Sequence, residues 1–436
     1  MSRTVVQPPL DVATHFLPAA AADASISELL RASGGSEILK IAADIRALKA
    51  SGKKVANLTV GDFDPTQFPA APALVAATQK ALGQGHTNYP PSDGTPELRK
   101  AIVRYYEREL GLKYPVESVQ IAAGARPIIY STYRAAIDPG DVALFPVPSW
   151  NNSYYVQLTG AQCIAVKTSA EHNFFPTVAE LREHLPKARL LVINSPSNPT
   201  GTVISKDALG EMTRLLVEEN RRRAQHGRKA LYLLYDQVYW TLTFGGARHY
   251  TPVELVPESA PYVIFLDAVS KAFAATGLRV GWCVAPPQLA GRMRDFLGHV
   301  GAWAPKPEQM ATAEFLDDAA AVQAFGESFR SEVKHRLELF HEGFEALRRD
   351  GFPVQSIDPQ GAIYLSVRFD LIGKHFHTNE EIRRFLLEDA GFAVVPFQAF
   401  GLREETGWFR LSVGAVSREE IAWVLPRLRE ALAKVR

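Results

Sequence analysis

Cysteine is scarce in this chain. Its 436 residues include two, Cys163 and Cys283, and neither belongs to a Cys-x-x-Cys or Cys/His array. Neither a disulfide framework nor a zinc site of the usual spacing is therefore expected, and no other metal is. Excess charge of one sign is missing too, since 48 Lys and Arg stand against 47 Asp and Glu, a formal net charge of +1. That balance gives no electrostatic reason to expect nucleic acid or an anionic membrane as partner. No apolar run approaches the ~18 residues of a membrane-spanning helix. Near the start, Asp11 and His15 interrupt anything resembling an apolar signal core. A cytoplasmic, soluble protein is the expectation. With 47% hydrophobic and 22% charged residues, the composition is that of an ordinary enzyme long enough to bury its own core.

Residues 1–35 show no sustained period and end in Ser33-Gly34-Gly35, which reads as an arm. Helical spacing follows at Ile38, Ile41, Ile45 and Leu48 and stops at Gly52. A strand over 55–60 then runs into the turn Gly61-Asp62-Phe63-Asp64-Pro65. From about 70 to 305, helical stretches alternate with apolar runs at 119–123, 142–145, 190–194, 231–236, 263–267 and 279–285. Short runs that are continuously apolar mark strands covered on both faces, and their alternation with helices predicts a mostly parallel sheet. The fold class is α/β.

Val322, Phe325, Phe329, Val333, Leu337, Phe340, Phe344 and Leu347 step by three or four, which predicts one long helix capped by Gly351. Beyond it, 362–369 and 408–413 read as strands and 380–389 as a helix. Ser417-Arg418-Glu419-Glu420 is a capping box opening a last helix, which Pro426 should kink. The expected organisation is an arm over 1–35, a large domain over 71–310, and a smaller α+β domain over 311–436 completed by 36–70. Arg221-Arg222-Arg223 reads as a solvated helix end rather than a polyanion site.

The most informative stretch is Ser270-Lys271-Ala272-Phe273-Ala274-Ala275-Thr276-Gly277-Leu278-Arg279-Val280-Gly281. A lysine directly after an apolar strand stands at a carboxyl end of the sheet, where open α/β folds bind ligands. A lone lysine is ordinarily a surface solubiliser. A desolvated one near positive charge loses proton affinity, becomes a nucleophilic amine and can form a Schiff base. Asp236 closes the apolar run 231–235, where an unpaired carboxylate is costly, so a cationic partner is expected unless the residue is a helix N-cap. Gly124-Ala125-Arg126 stands at a strand-to-helix junction, whose free N–H groups suit an anion. Arg410 lies inside the apolar run 408–413 and needs an acid partner, for which a structural Asp or Glu is one candidate.

The lysine stretch resembles the signature of class I/II aminotransferases, pyridoxal-phosphate enzymes of fold type I. Further blocks of that family stand in its order. They are Asn57-Leu58-Thr59-Val60-Gly61-Asp62, Tyr89-Pro90-Pro91-Ser92-Asp93-Gly94-Thr95-Pro96-Glu97-Leu98-Arg99, Ala123-Gly124-Ala125-Arg126, and Asp138-Pro139-Gly140-Asp141 leading to Pro148-Ser149-Trp150. Asn194-Ser195-Pro196-Ser197-Asn198-Pro199-Thr200-Gly201, Asp236-Gln237-Val238-Tyr239 and Phe409-Arg410-Leu411-Ser412 complete the set. Only the first ~35 residues fall outside the resemblance.

The resemblance implies a seven-stranded-type sheet, pyridoxal 5'-phosphate as cofactor, and transfer of an amino group between an L-amino acid and a 2-oxo acid. It makes Lys271 the Schiff-base lysine and proton carrier, and Asp236 the partner that keeps the pyridine nitrogen protonated. Tyr239 and Asn198 are expected at the coenzyme's 3′ oxygen, and Trp150 on its ring. Gly124, Ala125, Arg126, Ser270 and Arg279 are expected around the phosphate. Tyr89 would reach the phosphate of the neighbouring subunit in a homodimer. Gly61, Asn198 and Arg410 would bind substrate, Arg410 through the α-carboxylate, while Asn194 positions Asp236 or Arg410. Ala268 departs from the Ser or Gly often found there, so Ser270, Arg126 or a water must replace a phosphate donor. The same residues serve a C–S or β-lyase, a cyclising synthase or a decarboxylase, because they build the electron sink rather than choose the bond that breaks. A ligand-sensing regulator on this fold needs a helix-turn-helix domain, for which an arm without helical period gives no support. Trp303 and Tyr364 hint at an apolar pocket for a neutral or aromatic substrate, and no second cation for a dicarboxylate is assigned.

Overall fold

The computed structural model describes residues 9–33 and 37–435, except the side chains of Ile38 and Leu39. The expected arm boundary at 35/36 and its two glycines lie outside the described residues. Residues 9–33 belong to a compact unit of their own. They form a 3-10 turn, Val12–His15, and two short helices, Ala19–Ala24 and Glu28–Arg31, in which no residue is buried. Segments this short cannot display a helical period, which is why the sequence shows none.

In the unit from Glu37 onward the strands are β1 (Ala56–Asn57), β2 (Val119–Ala122), β3 (Val142–Val147), β4 (Gln162–Lys167), β5 (Ala188–Asn194), β6 (Tyr232–Asp236), β7 (Val263–Ala268) and β8 (Gly281–Val284). They continue as β9 (Val354–Ser356), β10 (Tyr364–Phe369), β11 (Phe392–Ala393), β12 (Val395–Pro396) and β13 (Trp408–Ser412). Seven form one sheet in the order β2-β8-β7-β6-β5-β3-β4, in which β8 alone runs against both neighbours. A smaller antiparallel sheet has the order β12-β13-β10-β9. The expected α/β class with a mostly parallel seven-stranded sheet and a smaller companion is the observed fold.

The central strands read as continuous apolar runs because each face of the sheet carries its own core. Leu234 of β6 packs with Ile128, Ile129 and Tyr133 of the helix Ala125–Ala136 on one side. Its neighbours Leu233 and Tyr235 pack with Tyr105, Tyr106 and Leu216 on the other. β4 was not legible in sequence. It is an edge strand whose Gln162, Cys163, Ala165 and Lys167 are exposed, so no apolar run marks it.

The segment read as one strand over 55–60 is a strand only at β1, which pairs in parallel with β11. Leu58 O still accepts from the backbone N–H of Ser412, but the next two carbonyls are claimed by side chains: Arg410 Nη2 donates to Thr59 O and Ser412 Oγ to Val60 O. This hand-over bends the chain towards the sheet's carboxyl edge. The boundary expected at 310/311 falls inside the helix Lys306–Asp317, which is tied to the preceding helices by Lys80–Glu314 and Arg104–Asp317 ion pairs. The long helix spans Ala319–Arg349, and Gly351 follows at φ 82°. The last helix, Arg418–Ala433, opens with the expected capping box and continues through Pro426. One expectation is corrected here. Arg223 is not solvated; it is 1% exposed and donates to Glu219 and to the carbonyls of Leu185 and Ala188.

Candidate active site

Lys271 lies on the single helical turn Val269–Ala272, directly after β7. Its Nζ donates to Gly61 O at 2.6 Å and stands 5.6 Å from the ring centre of Phe63. Burial pushes the amine down to about 8; Asp62 opposes that fall, and the guanidinium groups of Arg410, Arg126 and Arg279 add to it. The result is an amine that is partly unprotonated near neutral pH.

Asp236 ends β6, the strand beside β7. Asn194, at the same level of β5, donates from Nδ2 to Asp236 O at 2.9 Å and accepts from Asn198 N at 2.7 Å. Burial raises the Asp236 carboxyl to about 7, and among the described residues its one hydrogen-bond donor is Val238 N at 3.2 Å. No Lys, Arg or His among the described residues pairs with it. The cation predicted for this carboxylate is therefore not found among the described residues, and the chain after it forms turns rather than the helix an N-cap would open.

Arg410 is 1% exposed on β13. Its Nη2 donates to Thr59 O at 2.5 Å and its Nη1 to Asn198 Oδ1 at 3.1 Å, while Nε is buried with no partner. The guanidinium carbon lies 4.8 Å from the ring centres of both Tyr364 and Phe400. No Asp or Glu among the described residues pairs with it, so the structural salt bridge is absent. Two neutral oxygens and two ring faces hold the group without neutralising it. Tyr239, three residues beyond Asp236, is buried and shares a 2.7 Å hydrogen bond with the hydroxyl of Tyr364.

The anion-suited junction is built as the residue types suggest. The helix Ala125–Ala136 starts at Gly124 with no side-chain cap, leaving its first N–H groups available. Gly124 has φ 90°, and a Cβ there would overlap the Arg279 guanidinium. Arg279 donates to Thr276 O at 2.7 Å and to Ala123 O at 3.0 Å, which aims it across the junction. Ser270 is buried on the helical turn that carries Lys271. Ala268 carries no side-chain donor, and its N–H bonds the Asp267 carboxylate. Arg126 is exposed, and its guanidinium lies 4.8 Å from the Trp150 ring centre, so Trp150 stands at the mouth of this junction.

Two expectations do not meet here. Trp303 and Tyr364 share no contact: Trp303 packs edge-on against Tyr89, whose own ring is 81% exposed, whereas Tyr364 belongs to the Arg410–Tyr239 cluster. The two therefore do not pack on one another. Tyr89 touches none of the Lys271 cluster within this chain. Sequence reasoning also missed the polar role of Tyr364 and the buried Asp267, which accepts from Trp240 Nε1 at 2.8 Å. Neither has a local signal; each acquires its partner from a distant strand or turn.

The family profile described as aminotransferase class I and II matches residues 53–428. The chain belongs to the class I and II aminotransferases. It is 32% identical over 407 residues to an aspartate aminotransferase of Rhizobium meliloti, covering 91% of this chain and 94% of that protein. It is 30% identical over 415 residues to an aspartate/prephenate aminotransferase of Thermus thermophilus, covering 94% of this chain and 99% of that one. Among solved structures, the aspartate aminotransferase from Rhizobium meliloti superposes with a TM-score of 0.85 at 30% identity, over 94% of this chain and 100% of the other. An aromatic aminotransferase from Pyrococcus horikoshii gives 0.78 at 29% identity, over 90% and 98%. This aminotransferase accordingly has the fold type I architecture, and transfer of amino groups is its reaction class.

Proposed function

We propose that this aminotransferase holds pyridoxal 5'-phosphate on Lys271 and exchanges an amino group between a dicarboxylic L-amino acid and a 2-oxo acid. The coenzyme, when bound, supplies the electron sink for bonds at the substrate's Cα. The observation that carries this reading is the Asp236 carboxyl, buried at a strand end with no cation among the described residues to meet it, which suits a protonated ring nitrogen. The uncapped helix start at Gly124-Ala125, with Arg279 beside it, suits the phosphate, and Ser270 is the side-chain hydroxyl we assign to it.

The residues then divide the work. Arg410 orients the substrate α-carboxylate through donors that face no acid among the described residues, and Asn198 steadies that guanidinium. Lys271, its proton affinity lowered, accepts and returns the Cα proton. Tyr239 would donate to the coenzyme's 3′ oxygen once the coenzyme is bound. Gly61 presents backbone next to the amine, and the Trp150 ring closes the mouth. Arg126, exposed and unpaired among the described residues yet near enough to bias Lys271, is the cation for a second carboxylate. The names of the relatives, aspartate and aspartate/prephenate aminotransferases, favour the same substrate class. We further infer a homodimer in which the exposed Tyr89 reaches the partner's phosphate site.

The test is a single-turnover experiment on holoprotein with aspartate, glutamate, leucine and phenylalanine. Expected is full conversion to the amine form of the coenzyme with the two dicarboxylates first, and no free ammonia. Release of ammonia assigns a lyase, and preference for leucine or phenylalanine removes the dicarboxylate assignment.

A further inference from the structure

Tyr364 stands where three parts of the site meet. It comes from β10 of the small antiparallel sheet, yet its hydroxyl reaches Tyr239, which follows β6 of the large one, at 2.7 Å. Its ring lies 4.8 Å beneath the guanidinium carbon of Arg410. The same hydroxyl faces Gly61, where a Cβ would come within 2.9 Å of it, and Gly61 O holds the Lys271 amine. The residue is 1% exposed, and Gly201, beyond Asn198, has no room for a Cβ because the Tyr364 carbonyl lies against it. A side chain gripped this closely has a single position.

We infer that Tyr364 is a positioning residue that donates its phenolic proton to Tyr239, so that Tyr239 can donate its own to the coenzyme, and that it couples this bond to Arg410 through the shared ring. The inference rests on the proposed coenzyme site. It follows from counting protons. A phenol carries one, so a Tyr239 that spends its proton on the coenzyme's 3′ oxygen must receive the 2.7 Å bond from Tyr364. Donors in series polarise one another, which strengthens the outer bond. Charged groups facing the pair are Arg410 from β13, Asp236 from β6 and Asp62 from the turn after β1; Arg410 favours ionised phenols and the two carboxylates oppose it. Neither tyrosine is driven to ionise, since burial raises both. The pair therefore transmits a hydrogen-bond direction rather than a charge.

The experiment is a double-mutant cycle read on the pH midpoint of the holoprotein's visible absorption change, with Tyr364→Phe, Tyr239→Phe and the double variant. Tyr364→Phe keeps the ring under Arg410, so substrate KM is expected to stay within about twofold. The midpoint should rise by at least ~0.3 pH unit and coenzyme affinity should fall about two- to tenfold. In the Tyr239→Phe background the same substitution should shift the midpoint no further. Equal shifts in both backgrounds, or a lower melting temperature with an unmoved midpoint, overturn the inference and leave Tyr364 a packing residue. Should wild-type protein develop no visible band with the coenzyme, it is the coenzyme site itself that fails.

Discussion

The amine of Lys271 and the carbonyl of Gly61 meet at 2.6 Å, although 210 positions separate them in the chain. One stands on the turn after β7, the other on the bend after β1, which is paired to β11 near the C-terminal sheet. The nucleophile of the large sheet is thus held by backbone that the small sheet's Arg410 and Ser412 have already shaped.

Replacing Lys271 by alanine should abolish borohydride-trapped coenzyme and lower turnover by roughly four orders of magnitude. The coenzyme-free protein should become more stable, not less. Its buried amine titrates at about 8 instead of 10.5, so the unfolded chain binds the extra proton between those values and the penalty is complete below pH 8. The gain on substitution should accordingly be largest below pH 8 and fade towards pH 10.5, as urea midpoints will show. A variant still trapped at wild-type level identifies a different lysine.

Asp236 predicts the opposite slope. Its carboxyl is raised from 3.8 to about 7 by burial, so the folded coenzyme-free chain keeps a proton that the unfolded chain loses. Stability contributed by this group is present below pH 4 and is lost as pH rises to about 7. Asp267, raised to about 8 by burial, extends the loss by one further unit. Asp236→Asn should flatten the pH 4–7 part of the coenzyme-free melting profile, and at neutral pH it should weaken coenzyme binding at least ~10-fold. An unchanged profile would mean the carboxyl is solvated or paired in solution.

For Arg410→Ala, KM for amino donors should rise by roughly 10²-fold while coenzyme affinity holds, because two charge-assisted donors to the α-carboxylate are lost. Arg410→Lys should recover little, since an ammonium cannot make the fork. If donor affinity is unaffected and only the melting temperature falls, the guanidinium serves only its structural partners, Thr59 O and Asn198 Oδ1.

The mostly parallel sheet was readable because its strands are buried on both faces, which forces unbroken apolar runs. β4 escaped for the converse reason: an edge strand facing water needs no such run. Lys271, Asp236 and Arg410 stood out because a charge inside or at the end of an apolar strand demands an explanation wherever its partner lies. Tyr364 gave no such cue. A tyrosine in a strand is ordinary, and nothing along 362–369 tells that its hydroxyl will meet Tyr239.

Covalent order along the chain was enough to establish the α/β class, the junction at Gly124 and the identity of the charged groups, because burial and helix geometry act over a few neighbouring residues. Which of those groups remain without a counter-charge was settled only when β6, β7, β10, β13 and the bend after β1 came together. Desolvation and hydrogen-bond pairing depend on everything within a few ångströms, and in this protein those neighbours are drawn from opposite ends of the sequence.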